Sequence, residues 1–277
     1  MSELPELVDG EQKVFFKAGG EWCYLWTPKT FRKDTPIPLV IQHHGSGGFV
    51  TEDKADWLEE ETRAFSREID PLFKVKLMNA VMKGGGCAIA GSNACGNHWG
   101  NPCSVEANIA LYDTLAASPN IDSERVGLFG GGLGGLLIWN SILAGLNSKV
   151  KAVAVLQSVA SIEATIREQK FKPPLLEAYG LPADTHDDEA VAETIQSDPL
   201  PKLQKLAKGT PLPKTGIFHG EVDDNIPAKT NAIPLEKALT EAGGDVELHI
   251  FPGVGHNVYF MGKAIEEHLE AFFAENL

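Results

Sequence analysis

The chain has 277 residues, 43% of them apolar, enough to bury one large core. An α/β chain of this length commonly forms one unit, so residues 1–277 read as a single domain carrying an insertion. Its 24 basic and 38 acidic side chains leave a formal charge of −14, which repels phosphate backbones and anionic lipid and excludes nucleic acid and membrane surfaces as partners. Residues 1–10 carry no basic, apolar leader, and no run approaches membrane-span length, so a cytoplasmic protein is expected. The four cysteines, Cys23, Cys87, Cys95 and Cys103, make no Cys-x-x-Cys pair. Reduced, buried thiols are expected, and a Cys95–Cys103 bridge is open but not indicated.

Along the chain, strand-like and helical runs alternate. Residues 13–18 and 22–27 read as two strands joined by Gly19-Gly20, a hairpin signal. Residues 37–42 form a short apolar run ending in a glycine-rich loop, as a buried strand does. Helical pieces are expected over 53–69 and 71–83, a strand over 87–90 and a helix over 105–117. A strand at 125–129 runs straight into glycines and the apolar stretch 133–146. Another strand follows at 150–156. Regularity then breaks: residues 158–210 hold prolines, an acidic run and weak helical periodicity. It resumes with a strand at 215–218, a helix at 228–242 stopped by Gly243-Gly244, a strand at 246–251 and a helix at 261–276. Eight strands alternating with helices imply a mostly parallel, twisted sheet flanked by helices on both faces, with residues 158–210 as a cap inserted after the sixth strand.

The most informative stretch is Arg125-Val-Gly-Leu-Phe-Gly-Gly-Gly-Leu-Gly-Gly135. A buried strand enters a glycine turn and leaves as an apolar helix. Gly130-Gly-Gly132-Leu-Gly-Gly135 also fits Gly-x-Gly-x-x-Gly. A dinucleotide loop, however, would follow the first strand, with an acid about 20 residues on; here Lys149, Val150 and Lys151 stand in that region. The run instead resembles the Gly-x-Ser-x-Gly nucleophile elbow of the α/β-hydrolases, with Gly130, Gly132 and Gly134 at its first, third and fifth places and glycine where the family has serine. Downstream, Ile217-Phe-His-Gly-Glu-Val-Asp-Asp-Asn-Ile-Pro227 resembles the family's His-Gly-x-x-Asp-x-x-Val-Pro. This puts the catalytic acid at Asp223, with Asp224 as the less well spaced alternative. Phe251-Pro-Gly-Val-Gly-His256 resembles the family's last loop, with His256 as the base. The order nucleophile, acid, histidine is the family's own.

Gln42-His-His-Gly-Ser-Gly-Gly48 resembles the His-Gly-x-Gly oxyanion loop. This resemblance implies donors at the backbone N–H of Ser46, or of Gly45, and of Leu133, each worth about 3–4 kcal/mol in the transition state. That loop presents backbone, so Ser46 is not read as a displaced nucleophile. His43 and His44 read first as its scaffolding, with His44 also a candidate for the pocket wall. Gly-Asn-His-Trp-Gly-Asn-Pro, residues 96–102, resembles a pocket-bordering loop of small bacterial hydrolases and adds His98 and Trp99. From the cap, Phe171 and Tyr179 are candidates, although packing the cap onto the body accounts for them equally well. Trp57 and Trp139 read as core. Cys95, His98 and Cys103 lack a fourth ligand, so no metal is expected, and no cofactor. Cys95 as a substitute nucleophile is a minor reading.

The resemblance therefore implies an α/β-hydrolase fold and a small esterase, similar to dienelactone hydrolase, acting on a carboxylic ester or lactone as monomer or homodimer. Gly132 removes the group that forms the covalent intermediate. Three functions remain open. The chain is an inactivated esterase; or a native enzyme that uses His256 for water activation, lyase or isomerase chemistry; or a non-catalytic binder of small molecules.

Overall fold

The structure, a computed structural model, describes residues 4–58 and 70–277. Strands β1 (Gln12–Ala18) and β2 (Glu21–Thr27) pair antiparallel through the Gly19-Gly20 turn. β3 (Ile37–His43) follows, buried along its whole length. α1 (Phe73–Gly85) ends at Gly86, whose φ of 54° suits glycine at a helix C-terminus. After β4 (Ala88–Ser92), α2 (Pro102–Ala116) begins at Asn101, whose side chain accepts from the Ser104 amide, with proline in the first turn. β5 (Ile121–Gly132) passes into α3 (Gly134–Leu143), and β6 (Val150–Ser158) follows. Between β6 and β7 run four short helices, α4 (Ile162–Arg167), α5 (Lys172–Ala178), α6 (Asp187–Thr194) and α7 (Pro199–Leu203). β7 (Lys214–Gly220), α8 (Ala232–Glu241), β8 (Val246–Phe251) and α9 (Lys263–Asn276) complete the chain.

The eight strands form one sheet, ordered β1-β2-β4-β3-β5-β6-β7-β8. β2 pairs antiparallel with both β1 and β4, and every later pairing is parallel. Both faces are covered. Leu39, Ile41, Leu128, Val153, Val155 and Ile217 pack on the side of α2, α3 and α8. Val40, Ile89, Phe129, Ala154 and Phe218 pack on the side of α1 and α9. Neighbours such as Leu39 and Val40 thus enter opposite cores, which is why these strands read as unbroken apolar runs. A third cluster joins α4 and α5 (Ile162, Ile166, Leu175, Leu176) to Trp99, Leu133 and Leu136.

Two expectations change. Of the helix expected over 53–69, the described part is a bridge and a turn, Val50 pairing with Ala55; the remainder lies outside the described residues. The Thr51 amide donates to the Lys54 carbonyl at 2.7 Å and its hydroxyl meets the Asp53 carboxylate, a local arrangement that competes with a helix. Second, Cys95 and Cys103 form a disulfide, against the expectation of reduced thiols. The loop after β4 doubles back through positive-φ backbone at Ala94, Cys95, Trp99 and two glycines, bringing the two Cα atoms within 6.4 Å, inside bridging range. Cys23 and Cys87 are free and buried, and burial pushes their thiols up to about 11 and about 12. No helix among the described residues is long and apolar enough to cross a membrane.

Candidate active site

The parallel strands β5, β6, β7 and β8 lie side by side, so the loops leaving their C-terminal ends share one edge of the sheet. Gly132 ends β5 with φ +55°. The turn there is set by excluded volume. A Cβ on Gly130 would lie 2.8 Å from the His43 carbonyl oxygen; one on Gly134 would meet the same oxygen at 2.8 Å and that of His44 at 3.0 Å. A Cβ on Gly131 would lie 2.7 Å from the Leu156 oxygen, and one on Gly135 would meet the Val159 oxygen at the same distance. Position 132 differs. There the nearest atom to an added Cβ is the Gly45 Cα, 3.6 Å away, an ordinary contact. Packing demands glycine on both sides of Gly132 but not at Gly132.

Asp223 follows β7. Its side chain is wholly buried. Oδ1 accepts from the amides of Asn225 and Ile226, both at 2.9 Å, and Oδ2 lies 2.9 Å from His256 Nδ1. Burial pushes this carboxyl up, but the bonds from His256 and the Ile226 and Asn225 amides outweigh it and hold it below the ordinary value. Asp224 points into solvent with an 88% exposed side chain and, among the described residues, reaches only Lys170, at 4.0 Å. The carboxylate paired with His256 is therefore that of Asp223. The His256 ring is about one-third exposed. With Nδ1–H donating to Asp223, Nε2 is left with its lone pair, the arrangement a general base requires.

The glycine-rich loop over residues 44–48 follows β3 and rests on the elbow: a Cβ on Gly45 would sit 3.4 Å from the Gly131 oxygen. Among the described residues, no protein acceptor meets the amides of Ser46 or Leu133. The Gly47 amide donates to Asn97 at 2.8 Å, and His44 bridges the Gly45 and Asn93 carbonyls at 2.9 and 3.0 Å. His43, also buried, lies 3.0 Å from the Asn108 side chain, and burial lowers it to about 4. Through these bonds the two histidines fasten the loop.

The candidates for the pocket wall divide. His98, fully enclosed, accepts from the Gly100 amide at 3.0 Å and sets its ring edge-on to His44. These contacts support the loop, and its Nε2 meets no partner among the described residues. Burial, then the neighbouring His44 and His43, hold His98 well below the ordinary histidine value. His44 and Trp99 are each only 3% exposed. Tyr179 donates to the Trp99 carbonyl at 3.0 Å, and the rings of Phe171 and Trp99 lie 6.0 Å apart, so both inserted residues, half-buried, dock on this loop. Trp57 and Trp139 lie in the core. Among the described residues, no group of three His, Cys, Asp or Glu is arranged to hold a metal; the bridge ties Cys95 and Cys103 to each other.

Sequence reasoning passed over two buried residues. His219, inside the acid motif, donates from Nε2 to the Ile226 carbonyl at 2.7 Å and lies 3.5 Å from Asp223 Oδ2. Gln157, at the end of β6, bonds to the carbonyl of Gly255 beside His256. Its only signal was an amide directly after the apolar run of residues 152–156.

Residues 90–277 match the prolyl oligopeptidase family, peptidase family S9. No curated protein matches this sequence. Among solved structures, dipeptidyl peptidase 4 of Porphyromonas gingivalis is similar, with a TM-score of 0.65 and 17% identity over 98% of this chain and 36% of that one. A structure from a study of two prolyl endopeptidases is similar at TM-score 0.65 and 16% identity, covering 96% of this chain and 38% of that chain. The chain thus spans little more than a third of either neighbour's length, and at such identities the likeness concerns the fold.

Proposed function

Because the chain belongs to the prolyl oligopeptidase family, we propose that its site is an acyl-hydrolase centre kept in a nucleophile-lacking form. One observation carries this reading: a buried, satisfied Asp223 holds His256 at 2.9 Å, on the same sheet edge as an elbow that has room for a side chain at Gly132 and nowhere else along residues 130–135 that bear glycine. In this reading Asp223 fixes the His256 tautomer, His256 Nε2 is the base, and the Leu133 and Ser46 amides receive the developing oxyanion. The ligand is a small carboxylic ester or lactone. The similar solved structures are named as peptidases, so a peptide acyl group is the competing substrate class for the same donors and base. The Cys95–Cys103 bridge speaks for an oxidising compartment over the cytoplasmic one expected from sequence.

The test compares the chain with Gly132→Ser on short-chain p-nitrophenyl esters and on a dipeptidyl p-nitroanilide. The Gly132→Ser protein is expected to hydrolyse the esters about 10⁴–10⁶ times faster than the parent, the range by which removing one triad member silences such sites. Turnover of the anilide alone would move the substrate to peptides. A folded but inert Gly132→Ser protein would reject the reading. Equal turnover by both proteins, abolished by His256→Ala, would transfer the chemistry to water activated by His256.

A further inference from the structure

Gln157 carries three features that rarely coincide without a functional cause. The pairing of β5 with β6 slips beside it: Gly131 pairs with Leu156 and Gly132 with Ser158, leaving Gln157 unmatched at the elbow. Such irregularities beside active sites re-aim a side chain. Its φ is +43°, a conformation L-residues seldom adopt and glycine adopts freely. Finally, its side chain is 1% exposed, and while Nε2 donates to the Gly255 carbonyl, Oε1 has no partner among the described residues. A glycine would suit the backbone and an apolar chain of equal length would leave no orphaned acceptor. What neither would supply is the bond to Gly255.

That bond crosses Gly220, the glycine of the acid motif. A Cβ at Gly220 would lie 2.9 Å from Gln157 Nε2 and 2.6 Å from the Gly255 oxygen, so the motif's glycine keeps the crossing clear. The far side of the His256 loop is tied to the acid loop, through the Val222 amide to the Val254 carbonyl at 3.0 Å and the Gly253 amide to the Glu221 carboxylate at 2.9 Å. Gln157 is the tie from the elbow's side, and the Val159 amide on the same segment donates to the Gly132 carbonyl at 2.9 Å.

We propose that Gln157 is a positioning residue for His256: its amide fastens the loop carrying the imidazole to the strand end beside the elbow, fixing where the base stands relative to position 132. The consequence for turnover rests on the acyl-hydrolase reading above; the consequence for the imidazole does not. The experiment labels the histidines with ¹⁵N and reads from two-bond correlation spectra which ring nitrogen of His256 carries the proton. It uses the parent chain, Gln157→Met, and Gln157→Gly, the last of which suits the backbone at φ +43°. A single Nδ1–H tautomer is expected in the parent and a mixture of tautomers in both variants, with cooperative melting retained. In the Gly132→Ser background, Gln157→Met is expected to lower kcat for p-nitrophenyl esters about ten- to a hundredfold with KM unchanged, the scale of a base displaced by a fraction of an ångström to about one ångström. An unaltered His256 tautomer in both variants overturns the proposal. So does loss of cooperative melting in both, which would place the residue's role in the fold. If Gly132→Ser fails to hydrolyse esters, the acyl-hydrolase reading falls, while the tautomer comparison still decides the role of Gln157.

Discussion

The elbow and the acid–base side of the site lie on one sheet edge but are held in shape by different physics. The elbow is defined by what cannot fit: backbone carbonyls of His43, His44, Leu156 and Val159 exclude side chains from four of its five glycines. The acid–base side is defined by what is bonded: one carboxylate collects His256 and two amides, with His219 close behind it. The elbow therefore keeps its geometry whatever stands at position 132, whereas removing an acid–base residue dismantles its surroundings. In the proposed reading, function and stability are separable at Gly132 and coupled at Asp223.

That comparison can be broken in three places. The largest stability effect is expected at Asp223→Ala, which strands the Asn225 and Ile226 amides and the His256 imidazole; urea melts should show a loss of about 3 kcal/mol. A loss within error would mean the network is looser than its distances imply. Next, acid should act through the buried histidines. Burial lowers His43 to about 4 and also lowers His98 and His219. Their folded values lie below the unfolded value of about 6.5, so the unfolded chain binds protons first. Stability is then full above about pH 6.5 and falls as pH drops toward 4, with His43 alone contributing on the order of 2 kcal/mol of loss by pH 5. Melts at pH 7.5 and pH 5 check this, and equal stabilities would contradict it. The smallest effect separates neighbouring glycines. Gly134→Ala drives a Cβ into two backbone carbonyls and should cost about 1–3 kcal/mol, while Gly132→Ala meets only the left-handed φ, about 1 kcal/mol. Equal costs would remove the distinction drawn at the elbow.

The contrast also explains what was legible in the sequence. All eight strands were found, the central ones as buried apolar runs and the β1–β2 pair by its Gly19-Gly20 turn. β8 matched to the residue, while β5 extends further, because Ile121 already pairs with Ile37 ahead of the apolar run. The elbow and acid motifs were legible because their constraints are local: glycines where carbonyls crowd, and an aspartate two and three residues before the amides it accepts. The helix over 133–146 stops at Leu143, since Gly145 turns out at φ 131°. The Cys95–Cys103 bridge depends on left-handed backbone at Ala94, Cys95 and Trp99, residue types that give no sign of it. The enclosure of His98 and the reach of Gln157 come from three-dimensional packing, and neither leaves a spacing to read.

The most direct test of the central claim, that the site lacks only the nucleophile's side chain, is intact-mass measurement of Gly132→Ser after exposure to a fluorophosphonate. One phosphonyl adduct at position 132 is expected, absent from the parent and strongly suppressed when His256→Ala is added. A folded Gly132→Ser protein that takes up no adduct would show that acid, base and elbow no longer act on one atom.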